Sequence, residues 1–384
     1  MFNFSYQNPT RIVFGKDQLS QLRKLIPTGA KVLLTYGGGS IKHNGVYQQV
    51  IDALKGFDWQ EFSGIEPNPS FETLMRAADV VRREKIDFLL AVGGGSVIDG
   101  TKFIAAAAVF EGDAWDILAK GAKITTAVPL GCVLTLPATG TESNGNSVVT
   151  RYETQQKLSF SSSLVYPTFA VLDPTVTYSL PPKQVANGVV DAFVHVMEQY
   201  MTYPVNAPVQ DRFAEGLLQT LIEEGPKALS NPQDYDVRAN VMWAATMALN
   251  GLIGQGVPQD WATHMIGHEI TALYGLDHAQ TLAIVLPSLL QQQRSSKREK
   301  LLQYGRRVWN LQHQDEERLI DEAINHTRAF FEQMGVPTRL ADYGIKADAV
   351  DKLVKALETN GMLKLGEHGD ITPDVSRQIL QQAV

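Results

Sequence analysis

The pattern of hydrophobic and polar positions changes about halfway along the chain. Before residue 180, short hydrophobic runs alternate with segments in which apolar residues recur every three to four positions. The hydrophobic runs predict β-strands at 11–14, 31–36, 87–92, 133–136 and 169–172. Nearly continuous apolar strands separated by helices are typical of a parallel sheet that is covered on both faces.

After residue 180 the strand signals stop. Residues 183–384 have the pattern of successive helices, with short breaks at Tyr203-Pro204, Gly225-Pro226 and Asn231-Pro232. We therefore predict the α/β class, with a parallel-sheet domain in residues 1–180 and an all-α domain in residues 181–384. A length of 384 residues agrees with two domains.

Composition narrows the possible partners. The chain has 20% charged residues and a net charge of −7, which argues against nucleic-acid binding. No apolar run is long enough to span a bilayer, and the N-terminus lacks the features of a signal peptide. The single cysteine, Cys132, lies in an apolar run, so we expect a buried, inert thiol. We predict a cytoplasmic protein with no membrane partner.

Two loops share the sequence Gly-Gly-Gly-Ser, at Gly37–Ser40 and at Gly93–Ser96, and each directly follows a predicted strand. Glycines let backbone N–H groups approach an anion, and a helix that begins at such a loop adds positive potential. Neither loop has the usual dinucleotide-binding spacing G-x-G-x-x-G. Each loop alone also fits a tight turn without a ligand, but two at consecutive strand ends favour phosphate binding.

For a dinucleotide ligand, the first of these loops bears on the choice between NAD and NADP. Sites that prefer NAD usually offer a carboxylate to the ribose 2′-hydroxyl near the end of the second strand. The segment Thr35–Lys42 contains no acid, whereas the Ser40 hydroxyl and the Lys42 ammonium suit a 2′-phosphate. We therefore predict NADP(H). A third loop, Pro137–Asn144, is rich in hydroxyls and fits either a ribose or nicotinamide contact or a polar turn.

Histidines are concentrated in the predicted helical domain. Three of the eight, His264, His268 and His278, fall within fifteen residues, and His195 follows Asp191 by four positions. Spacing of four on a helix aims two side chains at one point, and imidazole with carboxylate suits Fe²⁺ or Zn²⁺. Each histidine alone also fits a hydrogen-bonded core or surface residue, and spacing does not exclude His268 as a ligand. We expect the other four on the surface: His43, His313, His326 and His368.

Taken together and in this order, these segments resemble the iron-containing alcohol dehydrogenase family over essentially the whole chain. The matching segments are 93–102, 137–143, 172–174, 188–195 and 264–278. The resemblance is greatest to the NADPH-dependent aldehyde reductase and butanol dehydrogenase branch. It implies a Rossmann-like nucleotide-binding domain, an all-α metal-binding domain, and a homodimer joined partly through the N-terminal strands.

The resemblance also implies individual roles. Asp191, His195, His264 and His278 would hold one divalent metal, Fe²⁺ or Zn²⁺, and His268 would face the substrate as a catalytic non-ligand that relays a proton. The candidate cofactor-binding residues are Gly37, Gly38, Gly39, Ser40, Gly93, Gly94, Gly95, Ser96, Asp99, Lys102, Thr135, Thr139, Thr141 and Lys157. The chain departs from the family at Ala279, where a glycine is usual, and in the loop 138–143. Both departures bear on the nicotinamide pocket.

The expected function is metal-dependent interconversion of aldehydes and primary alcohols by hydride transfer with NADP(H). Three alternatives stay open at this point. One is a polyol or polyol-phosphate dehydrogenase of the same superfamily, which would need further basic residues for a substrate phosphate. Another is a metal-dependent hydrolase, which has no use for two glycine loops. The third is a metal- or nucleotide-binding sensor without catalytic activity.

Overall fold

The computed structural model describes all 384 residues, which group into two compact units. The α/β unit comprises Gln7–Leu180 and Gln233–Met242. The helical unit comprises Met1–Tyr6, Pro181–Pro232 and Trp243–Val384. These units differ from the predicted domains 1–180 and 181–384 in two short segments, 1–6 and 233–242.

Strands occur only in the α/β unit. They are β1 (Arg11–Phe14), β2 (Lys31–Tyr36), β3 (Asp58–Phe62), β4 (Phe88–Gly94), β5 (Leu130–Leu136), β6 (Asn146–Arg151), β7 (Gln156–Ser161) and β8 (Phe169–Leu172). Six of them form a parallel sheet in the order β1-β8-β5-β4-β2-β3, and β6 and β7 form an antiparallel pair.

Helices flank this sheet: α1 (Leu22–Leu25), α2 (Val46–Ala53), α3 (Phe71–Glu84), α4 (Gly95–Ala107) and α5 (Asp116–Ala119). Successive residues of β2 enter different hydrophobic clusters. Leu33 packs in the cluster that contains residues of α3 and α4, and Leu34 packs in the cluster that contains residues of α2. Because both faces of the sheet are buried, its central strands read as continuous apolar runs.

All five predicted strands are present, and β3, β6 and β7 were missed. The sequence of β3 is Asp-Trp-Gln-Glu-Phe, and none of its residues is fully buried. It lies at the edge of the sheet, where polar side chains reach solvent. An edge strand therefore lacks the apolar run on which the prediction relied.

After β8 the chain is helical, as predicted. The helices are α6 (Pro182–Tyr200), α7 (Pro208–Ser230), α8 (Tyr235–Ala248), α9 (Ala262–Tyr274), α10 (His278–Gln292), α11 (Arg298–Arg307), α12 (Glu316–Gln333), α13 (Ala349–Thr359) and α14 (Pro373–Gln382). None of the helices combines the length and the hydrophobicity that a bilayer crossing requires.

The predicted break at Gly225-Pro226 is wrong, because α7 continues through both residues. Proline removes one helical hydrogen bond but does not always end a helix. Gly225 instead serves close packing of α7 on α6, since a Cβ atom there would lie 2.8 Å from Val189 Cγ1. The glycine therefore marks a helix contact, not a turn.

Candidate active site

One face of α6 carries three buried polar side chains. Asp191, His195 and Glu198 follow one another at intervals of four and three residues, so they project from the same side of the helix. Each is 3% exposed. Buried charged and polar groups need partners, and side chains or backbone groups of α9 and α10 approach all three.

The connection between α9 and α10 directs two more histidines to the same place. His264 and His268 lie one turn apart on α9, and His278 is the first residue of α10. Gly275 ends α9 at a φ of +71°, a left-handed conformation that glycine adopts without strain. Asp277 then begins α10 with a capping box, in which its N–H donates to Gln280 Oε1 over 3.0 Å. This three-residue turn brings His278 back toward α9.

Four of these side chains converge. Asp191, His195, His264 and His278 each offer one donor atom, and the four atoms lie within 4.8 Å of one another. Asp191 Oδ1 is 3.6 Å from the Nε2 atoms of both His195 and His278. Ligands about 2.1 Å from a tetrahedral zinc ion lie about 3.4 Å apart, close to these distances. One carboxylate and three imidazoles fit Fe²⁺ or Zn²⁺ in both chemistry and spacing.

His268 lies beside this group of four and outside it. Its ring centre is 5.5 Å from that of His278 and 6.3 Å from that of His264, and the side chain is buried. The four histidines predicted on the surface lie outside the site. His43, His326 and His368 are exposed, and His313 is partly buried beside Glu322.

Glu198 was not among the residues predicted from the sequence. One oxygen of its carboxylate contacts His264 Nδ1, and the other accepts the backbone N–H groups of Thr263 over 2.7 Å and His264 over 3.3 Å. Burial, reinforced by the neighbouring Asp260 carboxylate, raises the pKa of Glu198 well above its usual range. Its position seven residues after Asp191, on the same helical face, was a signal that could have identified it.

The two glycine loops lie at the carboxyl ends of two neighbouring strands of the parallel sheet. β2 and β4 are neighbours, with Tyr36 opposite Val92, so the loops that follow them start side by side. In the first loop, a Cβ atom at Gly38 or Gly39 would meet nothing within 4 Å, and Ser40 is exposed. This loop is open to a ligand.

The second loop is packed against the protein itself. A Cβ atom would lie 2.6 Å from Val97 at Gly93, and 2.8 Å from the Thr139 hydroxyl at Gly95. Glycine is needed here for close packing, at the point where α4 begins. A Cβ atom at Gly94 would lie 2.9 Å from Leu136 Cβ. Ser96 lies in the first turn of α4.

Asp99 and Lys102 are engaged inside the α/β unit. The Lys102 ammonium is fully buried and donates to Thr141 Oγ1 at 2.6 Å, Asn144 Oδ1 at 3.0 Å and the Asn146 carbonyl at 2.8 Å. Asp99 accepts the Thr141 hydroxyl and, over 3.0 Å, a backbone N–H of β6. Burial lowers the pKa of Lys102 to about 8. These bonds hold the loop 141–146, and direct cofactor contacts by either side chain stay a prediction.

The remaining predicted cofactor residues lie on β5, on the loop after it, and on β7. Thr135 is buried in β5, and Thr139 follows β5 beside Gly95. Lys157 is buried on β7, where its ammonium donates to Asn68 Oδ1 over 3.0 Å.

An acid that the sequence analysis did not consider lies next to the first loop. Glu61 belongs to the missed strand β3, which pairs with β2. Its Oε1 is 3.4 Å from the Lys42 ammonium, and its Oε2 accepts the Tyr47 hydroxyl over 2.6 Å. The segment 35–42 has no acid of its own, but the fold supplies one to Lys42.

Comparisons with known families agree over both units. A family model described as iron-containing alcohol dehydrogenase matches residues 9–174. A second model, described as the C-terminal part of the Fe-containing alcohol dehydrogenase family, matches residues 185–383. Together the two models span nearly the whole chain.

Individual relatives are similar over their full length. The chain is 63% identical over 386 residues to NADPH-dependent aldehyde reductase YqhD of Escherichia coli K12, covering 100% of both proteins. The crystal structure of that protein superposes with a TM-score of 0.99, covering 100% of this chain and 99% of the other at 62% identity. An NADH-dependent butanol dehydrogenase A from Thermotoga maritima superposes with a TM-score of 0.96 at 37% identity, covering 100% and 99%. These structures confirm the predicted fold class.

Proposed function

The chain belongs to the iron-containing alcohol dehydrogenase family, and from this premise we propose that it reduces aldehydes to primary alcohols with NADPH and catalyses the reverse with NADP⁺. The observation that carries the proposal is the convergence of one carboxylate and three imidazoles within 4.8 Å. The name of the E. coli relative, an NADPH-dependent aldehyde reductase, supports the same direction and cofactor.

Asp191, His195, His264 and His278 are the proposed ligands of a single divalent metal. When bound, Fe²⁺ or Zn²⁺ would polarise the substrate carbonyl as a Lewis acid, and the cofactor would supply the hydride. The ligand set carries one negative charge, so a divalent ion keeps net positive charge. Glu198 contacts the Nδ1 atom of His264, so Nε2 is the nitrogen proposed to bind the metal.

His268 is the proposed proton donor to the substrate oxygen. It is buried beside the four ligands and belongs to a separate turn of α9. In the direction of reduction, the imidazolium gives its proton to the oxygen as the carbonyl carbon gains hydride. In the direction of oxidation, the neutral ring takes the alcohol proton.

The proposed preference for NADP(H) rests on the first glycine loop. Gly38 and Gly39 leave open space, and Ser40 and Lys42 offer a hydroxyl and an ammonium near it. Glu61 offsets part of the Lys42 charge, but it does so from the neighbouring strand. Family membership alone does not determine the cofactor, because the T. maritima relative is named NADH-dependent and the E. coli relative NADPH-dependent.

We also propose a cytoplasmic homodimer. β1 is an edge strand with Phe14 exposed, and the chain before it exposes Phe2 and Phe4 by about half. Exposed aromatic residues and an unpaired strand edge are features of subunit interfaces. Light scattering of the purified protein measures the oligomeric state, and a mass of about twice 42.3 kDa is expected for the homodimer.

The proposed reaction is tested with a panel of aldehydes and alcohols, each assayed with NADPH or NADP⁺ and with NADH or NAD⁺. Metal content is measured on the same sample. We expect the highest kcat/KM for an aldehyde with NADPH, in protein that holds about one metal ion per chain. Equal or higher kcat/KM with NADH would overturn the cofactor assignment, and no turnover of any aldehyde would overturn the reaction.

A further inference from the structure

Glu198 contacts both the ring and the helix that carry one proposed metal ligand. It lies on α6 with Asp191 and His195, but its carboxylate reaches α9. One oxygen accepts the N–H groups of Thr263 and His264, and the other contacts His264 Nδ1. A single side chain thus joins the two helices that supply three of the four proposed ligands.

The bonds to the backbone satisfy the start of α9. The first N–H groups of a helix have no partners within it, and here the residue before α9, Trp261, provides no side-chain cap. Thr263 and His264 are the second and third residues of α9, where a capping oxygen normally binds. A carboxylate at this end also interacts favourably with the helix dipole.

The contact with the ring determines which nitrogen can bind a metal. The positive charge of a metal held by the four ligands would offset the rise in the Glu198 pKa that burial causes, so with the metal bound Glu198 is an ionised carboxylate. An ionised carboxylate only accepts hydrogen bonds, so His264 Nδ1 must carry the hydrogen. The lone pair of the neutral ring then lies on Nε2. Metal-binding histidines commonly donate their other N–H to a carboxylate, which fixes the tautomer and the ring orientation.

We propose that Glu198 is a positioning residue for the metal: it fixes His264 in the tautomer that presents Nε2 to the common point of the four ligands, and it anchors α9 to α6. The inference rests on the ligand set of the proposed function. Glu198 acts through His264 and does not itself bind the metal or the substrate.

A second buried cluster holds the chain immediately before α9. The Asp260 N–H donates to the Glu198 carbonyl over 2.8 Å, and Asp260 Oδ1 accepts the Ala262 N–H over 2.8 Å. The Lys297 ammonium lies 2.9 Å from Asp260 and 2.7 Å from Glu367, and all three side chains are at most 4% exposed. Glu198 therefore meets a helix start that is fixed independently of the metal.

The test measures metal affinity, not turnover. Metal-free protein is titrated with Zn²⁺ in competition with a chromophoric chelator. We expect the Zn²⁺ dissociation constant to rise about 100-fold in Glu198→Ala and about 10-fold in Glu198→Gln, the range typical of lost ligand-supporting groups. Glutamine keeps one acceptor oxygen for the ring N–H but cannot also accept the two backbone N–H groups, so it rescues only in part.

The matched control is Glu215→Gln. Glu215 is another buried glutamate of the helical unit, on α7, where it accepts Tyr200 and Gln303. This variant should keep the parental Zn²⁺ affinity, even if its unfolding temperature falls. A second readout is the visible spectrum of the Co²⁺-loaded protein, which should change in the Glu198 variants because the ligand geometry changes.

His278→Ala separates failure of this inference from failure of the ligand set. Loss of Zn²⁺ binding in His278→Ala with parental affinity in both Glu198 variants would overturn the role of Glu198 alone. Parental affinity in all three would overturn the ligand set as well. If Glu198→Ala does not fold, Glu198→Gln decides, and parental affinity and an unchanged Co²⁺ spectrum in that variant would refute the proposal.

Discussion

The proposed metal centre and the proposed nucleotide site both depend on buried polar side chains, but they use them differently. In the helical unit, donor atoms from α6, α9 and α10 converge on one point. In the α/β unit, Lys102 and Asp99 are bonded to Thr141 and to the loop around it. A family model matches each of the two regions. Burial alone therefore does not show whether a polar side chain binds a ligand. What distinguishes the two kinds is whether its polar atoms converge with others on one point or are hydrogen-bonded to a neighbouring loop.

Replacing His268, in the helical unit, has the largest expected effect of the variants considered, and the effect is on kcat. If His268 donates a proton next to the metal and is not a ligand, His268→Ala should lower kcat about 10²-fold or more while the metal stays bound. Steady-state kinetics and metal analysis on one sample measure both. Release of the metal would make His268 a ligand, and an unchanged kcat would leave it a core-packing residue.

Replacing Lys102 tests whether this buried lysine stabilises the α/β unit or contacts the cofactor. Lys102→Met removes an ammonium that donates to three oxygen atoms. The buried Asp99 carboxylate then loses the nearby positive charge of Lys102. We expect a loss of about 3 kcal/mol in the free energy of unfolding, because breaking a buried charge cluster leaves uncompensated polar groups. Metal content should not change.

Denaturant unfolding gives that value, and Lys55→Met, at an exposed lysine, is the control. A Lys102→Met protein with parental stability but greatly weakened NADPH binding would mean that Lys102 contacts the cofactor. Lys102 would then bind the ligand directly, as the proposed metal ligands of the helical unit do.

Gly38 tests the open loop. An aspartate side chain fits there without a clash, and its charge would repel a 2′-phosphate. We expect Gly38→Asp to lower the ratio of kcat/KM for NADPH over NADH about 10-fold, equivalent to one close charge repulsion of about 1.4 kcal/mol. Gly216→Asp, at an exposed open position on α7, should leave the ratio unchanged. An unchanged ratio in Gly38→Asp would place the 2′-phosphate elsewhere.

Glu61 has the smallest expected effect, because exposed ion pairs contribute about 0–1 kcal/mol. Glu61→Gln removes the carboxylate that faces Lys42 and should lower the NADPH dissociation constant about threefold at low salt. Fluorescence titration measures it, and Lys42→Met should shift the constant in the opposite direction. Weaker NADPH binding in Glu61→Gln would show that this acid assists the cofactor.

The sequence predicted those parts of the fold in which buried positions form a regular pattern of apolar residues. Strands buried on both faces, such as β2 and β4, appear as apolar runs, whereas the polar edge strand β3 does not. Because β3 was not predicted, Glu61 was not considered when the first glycine loop was interpreted as a site for the 2′-phosphate of NADP(H). The turn prediction at Gly225 was wrong because glycine serves helix packing as well as turns, and the sequence does not distinguish the two uses.

The candidate site was predictable in the parts that depend on local spacing. Asp191 and His195 share a helical face whatever the rest of the chain does, and Glu198 was within reach of the same argument. The pairing of Glu198 with His264 spans 66 positions, and that of Lys102 with Asn144 spans 42. Such contacts depend on how helices and loops pack, for which a single sequence carries no spacing signal.

We propose that this chain reduces aldehydes through a metal held in the helical unit, with NADPH bound independently in the α/β unit. The most direct test removes the metal with a chelator and then measures aldehyde reduction and NADPH binding on the same protein. We predict that reduction is lost and returns when Fe²⁺ or Zn²⁺ is added, while NADPH still binds to the metal-free protein. Full aldehyde reduction by protein with no detectable metal would contradict the account.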